Sequence, residues 1–306
     1  MDAIIDWLIE GDVSVQYLTH VHLLKSGQDV LLPLQERIEH EGYGKEILSC
    51  RNPNGHWGLW FYQMKWTSTH YTLLDLMQLG LKSDVQACRE MVLRALDTCM
   101  LENGGLNLAK SNLPSDIAVD GMFLQYASYF CPGNPHLEHL VQFILSQAKP
   151  DGGYSWEVTS TTSDPHTTLC VLEGFHFYKT AGFTQHLQQI QASEKQAVEY
   201  LLDHDLFMHD NPRYLKLTYP YRYHYSVLRM LEYWYLAKTP YDPRMEKAYV
   251  YLEHKKQDQG YFLLEYSHPG KTHIPWETIH HPSRFITLKA LSILQEHGTG
   301  DLNPSQ

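Results

Sequence analysis

A glycine returns in one sequence frame about every fifty residues, and no other feature restricts the possible folds as much. Gly55, Gly104 and Gly152 stand 49 and 48 residues apart, and Gly260 follows after 108, close to two further periods. Two positions beyond each comes a large apolar side chain: Trp57, Leu106, Tyr154 or Phe262. Five positions before it come Cys50, Cys99, Gln147 and Lys255. Asn211-Pro212 stands where the missing glycine is expected. Self-similarity at such a period marks a repeat architecture, whose units cannot bury their apolar faces alone and must stack.

Each unit reads as two helices. Over 84–102, Val85, Cys88, Val92, Leu96 and Cys99 form one helical face, and Leu137, Leu140, Val141, Ile144 and Leu145 do the same in the next unit. Start signals recur in phase. Ser83 with Gln86 and Ser193 with Gln196 are capping-box patterns; Asn134-Pro135 and Asp242-Pro243 are N-caps followed by proline. After each glycine an aromatic, threonine-rich loop leads to a second helix. These openings read Thr69-His-Tyr-Thr-Leu, Ala118-Val-Asp-Gly-Met, Pro165-His-Thr-Thr-Leu, Tyr223-His-Tyr-Ser-Val and Arg284-Phe-Ile-Thr-Leu. The second helices are apolar on most faces, as helices buried on most sides are. The predicted fold class is all-α, an α/α toroid of about six helical hairpins closed around a central cavity; an open armadillo-type superhelix is the competitor. One domain spans 1–306: a first hairpin over 1–50 (helical around 4–24 and 30–48), five repeats over 51–296, and a polar tail over 297–306.

Composition narrows the partners. The net charge of −11 leaves no basic face for a phosphate backbone, so no nucleic-acid partner is expected. Five cysteines without a CxxC pair suit reduced thiols, and the acidic start Met1-Asp-Ala lacks a signal peptide's basic region. No apolar run is long enough to span a membrane, so a cytoplasmic protein with a small-molecule ligand is expected. The 21 tyrosines and 19 histidines are a surplus suited to polar-edged aromatic pockets and proton transfer.

The segment Gln147-Ala-Lys-Pro-Asp-Gly-Gly-Tyr154 is similar to the QW motif of squalene-type cyclases, Q-x(2–5)-G-x-W, with Tyr154 for the tryptophan. Cys50 to Trp57 looks like the same motif without its glutamine. The stretch Trp66-Thr-Ser-Thr-His-Tyr-Thr-Leu73 looks like an inner-helix start of small bacterial squalene-cyclase-like proteins. Over roughly residues 40 to 295 the chain thus resembles the terpenoid cyclase and protein prenyltransferase superfamily. That resemblance implies an α/α toroid and an isoprenoid-like ligand. The acid motif DxDD and the metal motif DDxxD are both absent. At Asp116-Ile-Ala118 an alanine stands where a prenyltransferase zinc site needs cysteine. Activity carried over from the fold is therefore analogy.

In a toroid, inner-helix N-termini and the loops before them form one rim, where free N–H groups favour anions. Aligning the Thr-Leu and Ser-Val pairs puts His70, His166 and His224 at one helical level. Asp116 and Asp120 join from the second unit and Arg284 from the fifth. The expected catalytic residues are His70, Asp116, Asp120, His166 and His224. The expected substrate-binding residues are Trp57, Trp66, Tyr154, Trp156, Glu157, Tyr221, Tyr223, Trp276 and Arg284. The competing structural reading makes the histidines, Asp116 and Asp164 helix caps, and the aromatics loop packing. Glu173, two turns below His166, faces either the cavity or its wall. The loop 266–283, with His268, His273, His280 and His281, reads as a rim or lid segment. No cofactor is called for. A divalent metal on His70, His166 and His224 is one reading, though no HxH, HExxH or CxxC spacing supports it.

Three functions fit. The first is a cyclase-, lyase- or transferase-like enzyme that uses rim His and Asp residues on an isoprenoid-like molecule. The second is a histidine-based, metal-dependent or metal-free hydrolase or lyase on a polar substrate such as a glycan. The third is a non-catalytic binding module.

Overall fold

The computed structural model describes residues 2–300. Its helices are α1 (Asp2–Ile9), α2 (Val13–His22), α3 (Gln28–Ile38), α4 (Gly42–Ser49), α5 (Thr69–Gln78), α6 (Gln86–Cys99), α7 (Ile117–Phe130), α8 (His136–Ser146), α9 (Pro165–Thr180), α10 (Leu187–Asp203), α11 (Val227–Ala237), α12 (Glu246–His254) and α13 (Arg284–Gly300). Strands β1 (Phe262–Leu263) and β2 (Pro282–Ser283) make one short antiparallel pair.

Helices α2, α5, α7, α9, α11 and α13 form an inner ring; the others, α3 and α4 together, form the outer layer. The ring closes. Helix α13 packs on both α11 and α2. Arg284 Nε donates to the Trp7 carbonyl at 3.0 Å, and its guanidinium lies 4.6 Å from the Trp7 ring centre. At the opposite end of the ring, His22 at the end of α2 reaches α11, its Nδ1 lying 3.2 Å from the Tyr235 hydroxyl. Arg284 opens α13 and meets Trp7 in the last turn of α1, just ahead of α2, whereas His22 and Tyr235 stand at the ends of α2 and α11, so these inner helices run parallel. All N-termini face one rim and all C-termini the other. The tightest pair is α7 with α9. A Cβ on Gly121 would lie 2.7 Å from the Cys170 backbone, and one on Gly174 would lie 2.7 Å from the Gly121 carbonyl oxygen. Only glycine permits that approach.

The repeat frame has a local cause. Gly55, Gly104, Gly152 and Gly260 take φ of +91°, +93°, +94° and +90°, the left-handed region that suits glycine. Each glycine N–H donates to the carbonyl three residues back, at 2.9, 2.9, 2.9 and 2.7 Å. The residue two positions on is then buried, and its N–H is received by an inner helix. Trp57 donates to Thr69 Oγ1 (3.1 Å), Tyr154 to Thr168 Oγ1 (3.0 Å) and Phe262 to Thr287 Oγ1 (2.8 Å). In the second unit Leu106 N–H finds Ser115 Oγ (3.0 Å) and Asp120 Oδ1 (3.1 Å) instead. These bonds clip each turn to its helix and satisfy donors that burial would otherwise orphan.

Several expectations need correction. Residues 1–50 hold four short helices, not two, because Gly11-Asp12, with Asp12 capping Ser14 N–H at 2.8 Å, starts a new helix within the first span, and the Glu39–Glu41 turn divides the second. Neither capping box forms. Helix α6 starts at Gln86 itself, and Ser193 lies inside α10, buried, with its Oγ 2.6 Å from the Tyr154 hydroxyl. Asn134 and Asp242 do cap, accepting from His136 N–H (3.0 Å) and Arg244 N–H (2.8 Å). The fourth unit replaces the glycine turn with Asp205, Leu206 and Phe207 at positive φ, ahead of Asn211-Pro212. Helix α13 extends beyond 297, and the tail after 300 lies outside the described residues. No helix among the described residues is long and apolar enough to cross a membrane.

Candidate functional site

The inner-helix starts carry capping side chains. Asp116 accepts from the N–H groups of Ala118 (3.0 Å) and Val119 (3.3 Å), and Asp164 from Thr167 N–H (2.8 Å). Ser226 accepts from Arg229 N–H (3.2 Å) and Ser283 from Ile286 N–H (3.0 Å). In this frame Ser226 is a cap, whereas Thr168 and Thr287 are turn clips four residues further on. The clip in the first unit is Thr69, one turn before Thr72. The sequence alignment therefore slipped, because Thr69 and Thr72 offer two threonines one turn apart.

The slip separates the three histidines. His70 lies a turn deeper, fully buried, with Nδ1 3.0 Å from the Tyr126 hydroxyl and rings of Tyr62, Tyr71 and Tyr126 around it. Burial lowers its pKa to about 3. His224 precedes its helix in the loop before α11, and there it meets His166, with ring centres 5.7 Å apart. His268 of the 266–283 loop joins them, stacked on His224 at 4.0 Å and 14°. The metal set of His70, His166 and His224 does not assemble, and no group of three His, Cys, Asp or Glu among the described residues has metal-holding geometry.

Three adjoining hollows of about 200, 460 and 380 Å3 meet around this cluster. The first is walled by His166, Tyr214, Tyr221, His224, Tyr266 and His268; the second by Lys65, Trp66, Arg213, Tyr223, His224, His268 and Lys271. The third is walled by Tyr62, Lys65, Asp116, Met122, Trp156, Asp164, His166 and Tyr223. Shared walls at His166, Tyr223, His224 and Lys65 make them one groove along the rim. The 266–283 loop packs over Trp66, whose Nε1 donates to the Pro269 carbonyl at 2.8 Å.

The side chains differ in freedom. His166 Nδ1 accepts from Tyr225 N–H (2.7 Å), so its proton sits on Nε2, 3.1 Å from the Tyr214 hydroxyl. Both nitrogens are thus engaged. His224 makes no side-chain hydrogen bond among the described residues. It is sandwiched between Tyr223, at 3.9 Å, and His268. Burial, then the neighbouring imidazoles of His268 and His166, pushes its pKa down to about 2. Burial lowers His268 to about 4. Burial also lifts Asp116 above the ordinary carboxylate range, although two backbone N–H groups pull the other way. Lys65, Arg213 and Lys271 are exposed cations on the groove edge, with Lys65 Nζ 4.6 Å from the Tyr223 ring centre.

Other expected residues lie elsewhere. Asp120 is buried, accepts from Ser115 Oγ at 2.5 Å and clips the second turn; burial lifts it to about 8. Trp57 and Tyr154 are fully buried turn anchors, with Trp57 Nε1 donating to the Ile47 carbonyl at 2.9 Å. Glu157 is exposed, accepting from Thr159 at 3.1 Å. Trp276 packs among Tyr43, Tyr219 and Phe285, and Arg284 holds the ring seam. Asp116, His166, His224, Trp66, Trp156, Tyr221 and Tyr223 do line the rim groove. Sequence reasoning missed Lys65, Arg213, Tyr214 and Tyr266, which carry no repeat or motif signal. It read His268 only as part of a local cluster.

A second hollow, about 250 Å3, lies on the ring axis toward the C-terminal ends of the inner helices, and all six helices contribute to its wall. Glu173 is in that wall, held by Arg229 Nη2 (2.6 Å) and Gln125 Nε2 (2.9 Å).

Fold and site define the class of protein: an α/α toroid with an aromatic, histidine-bearing groove on its inner-helix N-terminal rim. Among solved structures it is similar to type II terpene cyclase MstE from Scytonema in its apo form, with a TM-score of 0.47 and 14% identity over 94% of this chain and 88% of that one. Similar values hold for variants of that enzyme. With geranylgeranyl dihydroxybenzoate bound they are 0.47, 15%, 94% and 87%; with merosterolic acid A bound, 0.46, 14%, 94% and 86%. No family model and no curated protein matches the chain.

Proposed function

We propose that the chain is an enzyme that takes an apolar, isoprenoid-like small molecule with an anionic head into the rim groove and acts on it by proton transfer. One observation carries the reading. A carboxyl group with a raised pKa, Asp116, shares a hollow with the aromatic walls Tyr62, Trp156 and Tyr223, and Lys65 stands beside it. A carboxyl whose pKa is raised by burial holds its proton to higher pH than a free one and so serves better as an acid. Aromatic faces steady a developing cation, and Lys65, Arg213 and Lys271 offer charge to an anionic head. His224, with free ring nitrogens, completes the cycle. A base as weak as one with a pKa of about 2 cannot activate water efficiently at neutral pH, where a value near 7 serves best. It can still take a proton from a carbocation, a far stronger acid than water. The same value disfavours the histidine-based hydrolase.

The test is incubation with linear prenyl alcohols and their diphosphates, with products followed by mass spectrometry. Turnover is expected, and Asp116→Asn lowers it by about a hundredfold or more while binding persists. Neither turnover nor binding of any of these compounds would remove the reading. Full activity in Asp116→Asn would remove the acid from it.

A further inference from the structure

We propose that residues 267–273 form a flap over the rim groove, latched by the stack of His268 on His224 and released when that stack takes up a proton. As regulation of the groove this rests on the groove being the working site. The readout chosen follows the flap itself, so a missing reaction and a missing latch are told apart.

The flap is pinned at its ends and lightly held between them. Tyr266 N–H donates to the Leu217 carbonyl at 3.3 Å, Ile274 is buried, and His273 Nε2 lies 2.9 Å from Thr72 Oγ1. From 267 to 273 no backbone-to-backbone hydrogen bond forms among the described residues. Segments so weakly bonded open at low free energy. Side chains close it instead. Trp66 Nε1 donates to the Pro269 carbonyl at 2.8 Å, and Gly270 sits so close that a Cβ there would lie 2.6 Å from Trp66 Cδ1. His268 lies flat on His224, with ring centres 4.0 Å apart and planes 14° apart. Residues His268 to Lys271 wall the hollow of about 460 Å3, so lifting the flap opens it.

The stack has no counter-charge for a proton. The charged groups that act most on the two rings are cations: Lys65 ahead of α5, Arg222 ahead of α11 and Arg229 within α11. His166, at the start of α9, adds a third imidazole, and Arg213 and Lys271 stand on the groove edge. The carboxylates around them are engaged. Asp75 in α5 accepts from Arg222 Nη1 at 2.6 Å, and Glu173 in α9 from Arg229 Nη2 at 2.6 Å. On the loop itself, Glu265 accepts from Lys255 Nζ at 2.6 Å and Glu277 from Arg284 N–H at 2.6 Å. Asp116 and Asp164 cap α7 and α9. A backbone hydrogen bond with Tyr221 is the one influence that favours a charged His268. Burial first, then these neighbours, lowers His268 to about 4 and His224 to about 2. Lifting the flap wets both rings and returns them toward the free value of about 6.5. Below that pH the open form binds more protons than the closed one, so acid favours opening. Between pH 7 and 5 the open population rises roughly twentyfold through His268 alone and several hundredfold through both rings.

The experiment is hydrogen exchange of the Trp66 indole N–H, followed by NMR on the full chain at pH 7 and pH 5. Dividing by the rate of free indole at each pH gives its protection, which lasts only while the Pro269 bond is made. Trp57 Nε1, buried and bonded to the Ile47 carbonyl at 2.9 Å, opens only with the outer layer of the fold. Trp66 protection is expected to lie at least about tenfold below that of Trp57 at both pH values, and to fall several hundredfold from pH 7 to pH 5. Phenylalanine keeps a flat ring but takes no proton. His224→Phe combined with His268→Phe should therefore hold the protection at pH 7 and lose the fall. His268→Phe alone, the milder change should the pair not fold, should make the fall about tenfold smaller. His281→Ala, on the same loop outside the stack, should leave it as in the parent. A parent fall under about tenfold, equal protection of the two indoles, or a parent-sized fall in His268→Phe would each overturn the proposal.

Discussion

Thr168→Val tests the bond that ties each repeat turn to its inner helix. Valine keeps the shape and the β-branch of threonine and removes only the hydroxyl. That oxygen receives the Tyr154 N–H at 3.0 Å and donates to the Asp164 carbonyl at 2.7 Å, and both Thr168 and Tyr154 are fully buried. The Asp164 carbonyl still accepts from the Thr168 N–H at 3.1 Å, so its loss is small. The Tyr154 N–H has nothing else to bond and no water to reach. One lost net hydrogen bond plus one stranded buried donor comes to about 2 kcal/mol. With an unfolding entropy near 2.1 cal/mol/K per residue over 306 residues, this lowers the melting temperature by roughly 3 °C. Scanning calorimetry reads the shift, and amide hydrogen exchange reads its origin, since Tyr154 should lose protection before its neighbours do. Thr287→Val should behave alike at Phe262. Ser292→Ala is the control, because its hydroxyl serves only the Leu288 carbonyl of its own helix at 2.8 Å. The reasoning fails if Thr168→Val melts within half a degree of the parent, or costs no more than Ser292→Ala.

Glu173→Gln should destabilise by about 3 kcal/mol in urea titrations, because it leaves Arg229, with a side chain 2% exposed, without its counter-charge. A midpoint equal to the parent's would show that Arg229 finds another partner. Stability should peak near neutral pH. Burial lowers His22, His176 and His268 to about 4 and His70 to about 3, so below pH 6.5 the unfolded chain binds more protons and stability falls as pH drops. Asp120, lifted to about 8 by burial, has the opposite slope: the unfolded chain binds fewer protons above its ordinary carboxylate range, and stability falls as pH rises toward 8. Urea midpoints between pH 5 and 9 check this, and a midpoint still climbing at pH 5 would refute it. Asp120→Asn should flatten the fall between neutral pH and 8 and steepen the fall on the acid side, since its titration opposes that of the histidines there.

Much of the architecture is legible in the residue order. The four glycines, the buried residue two places on, and the alternation of one-faced and all-round apolar helices come from local rules: backbone strain at positive φ, and the helical period. Such rules act over a few residues, so a sequence carries them openly. The caps at Asp116, Asp164 and Asp242 belong to the same category. Ring closure does not. It rests on contacts such as Arg284 with Trp7 and His22 with Tyr235, between residues more than two hundred positions apart.

The site follows the same division. The sequence marked histidines and aromatics in the repeat loops, but their partners depend on a helical register it could not fix. A slip of one turn at Thr69–Thr72 puts His70 into the core rather than beside His166. Tertiary packing brings His268 from a distant loop onto His224, and sets Lys65 and Arg213 at the groove edge without any motif. The axial hollow is further still from sequence, since six helices each supply only a residue or a few to its wall. By itself the sequence determined the repeating unit and the faces of its helices, because turn geometry and helical period are local. Only the tertiary structure decided which polar groups meet, because burial, pairing and cavity shape depend on where separate units stop against one another.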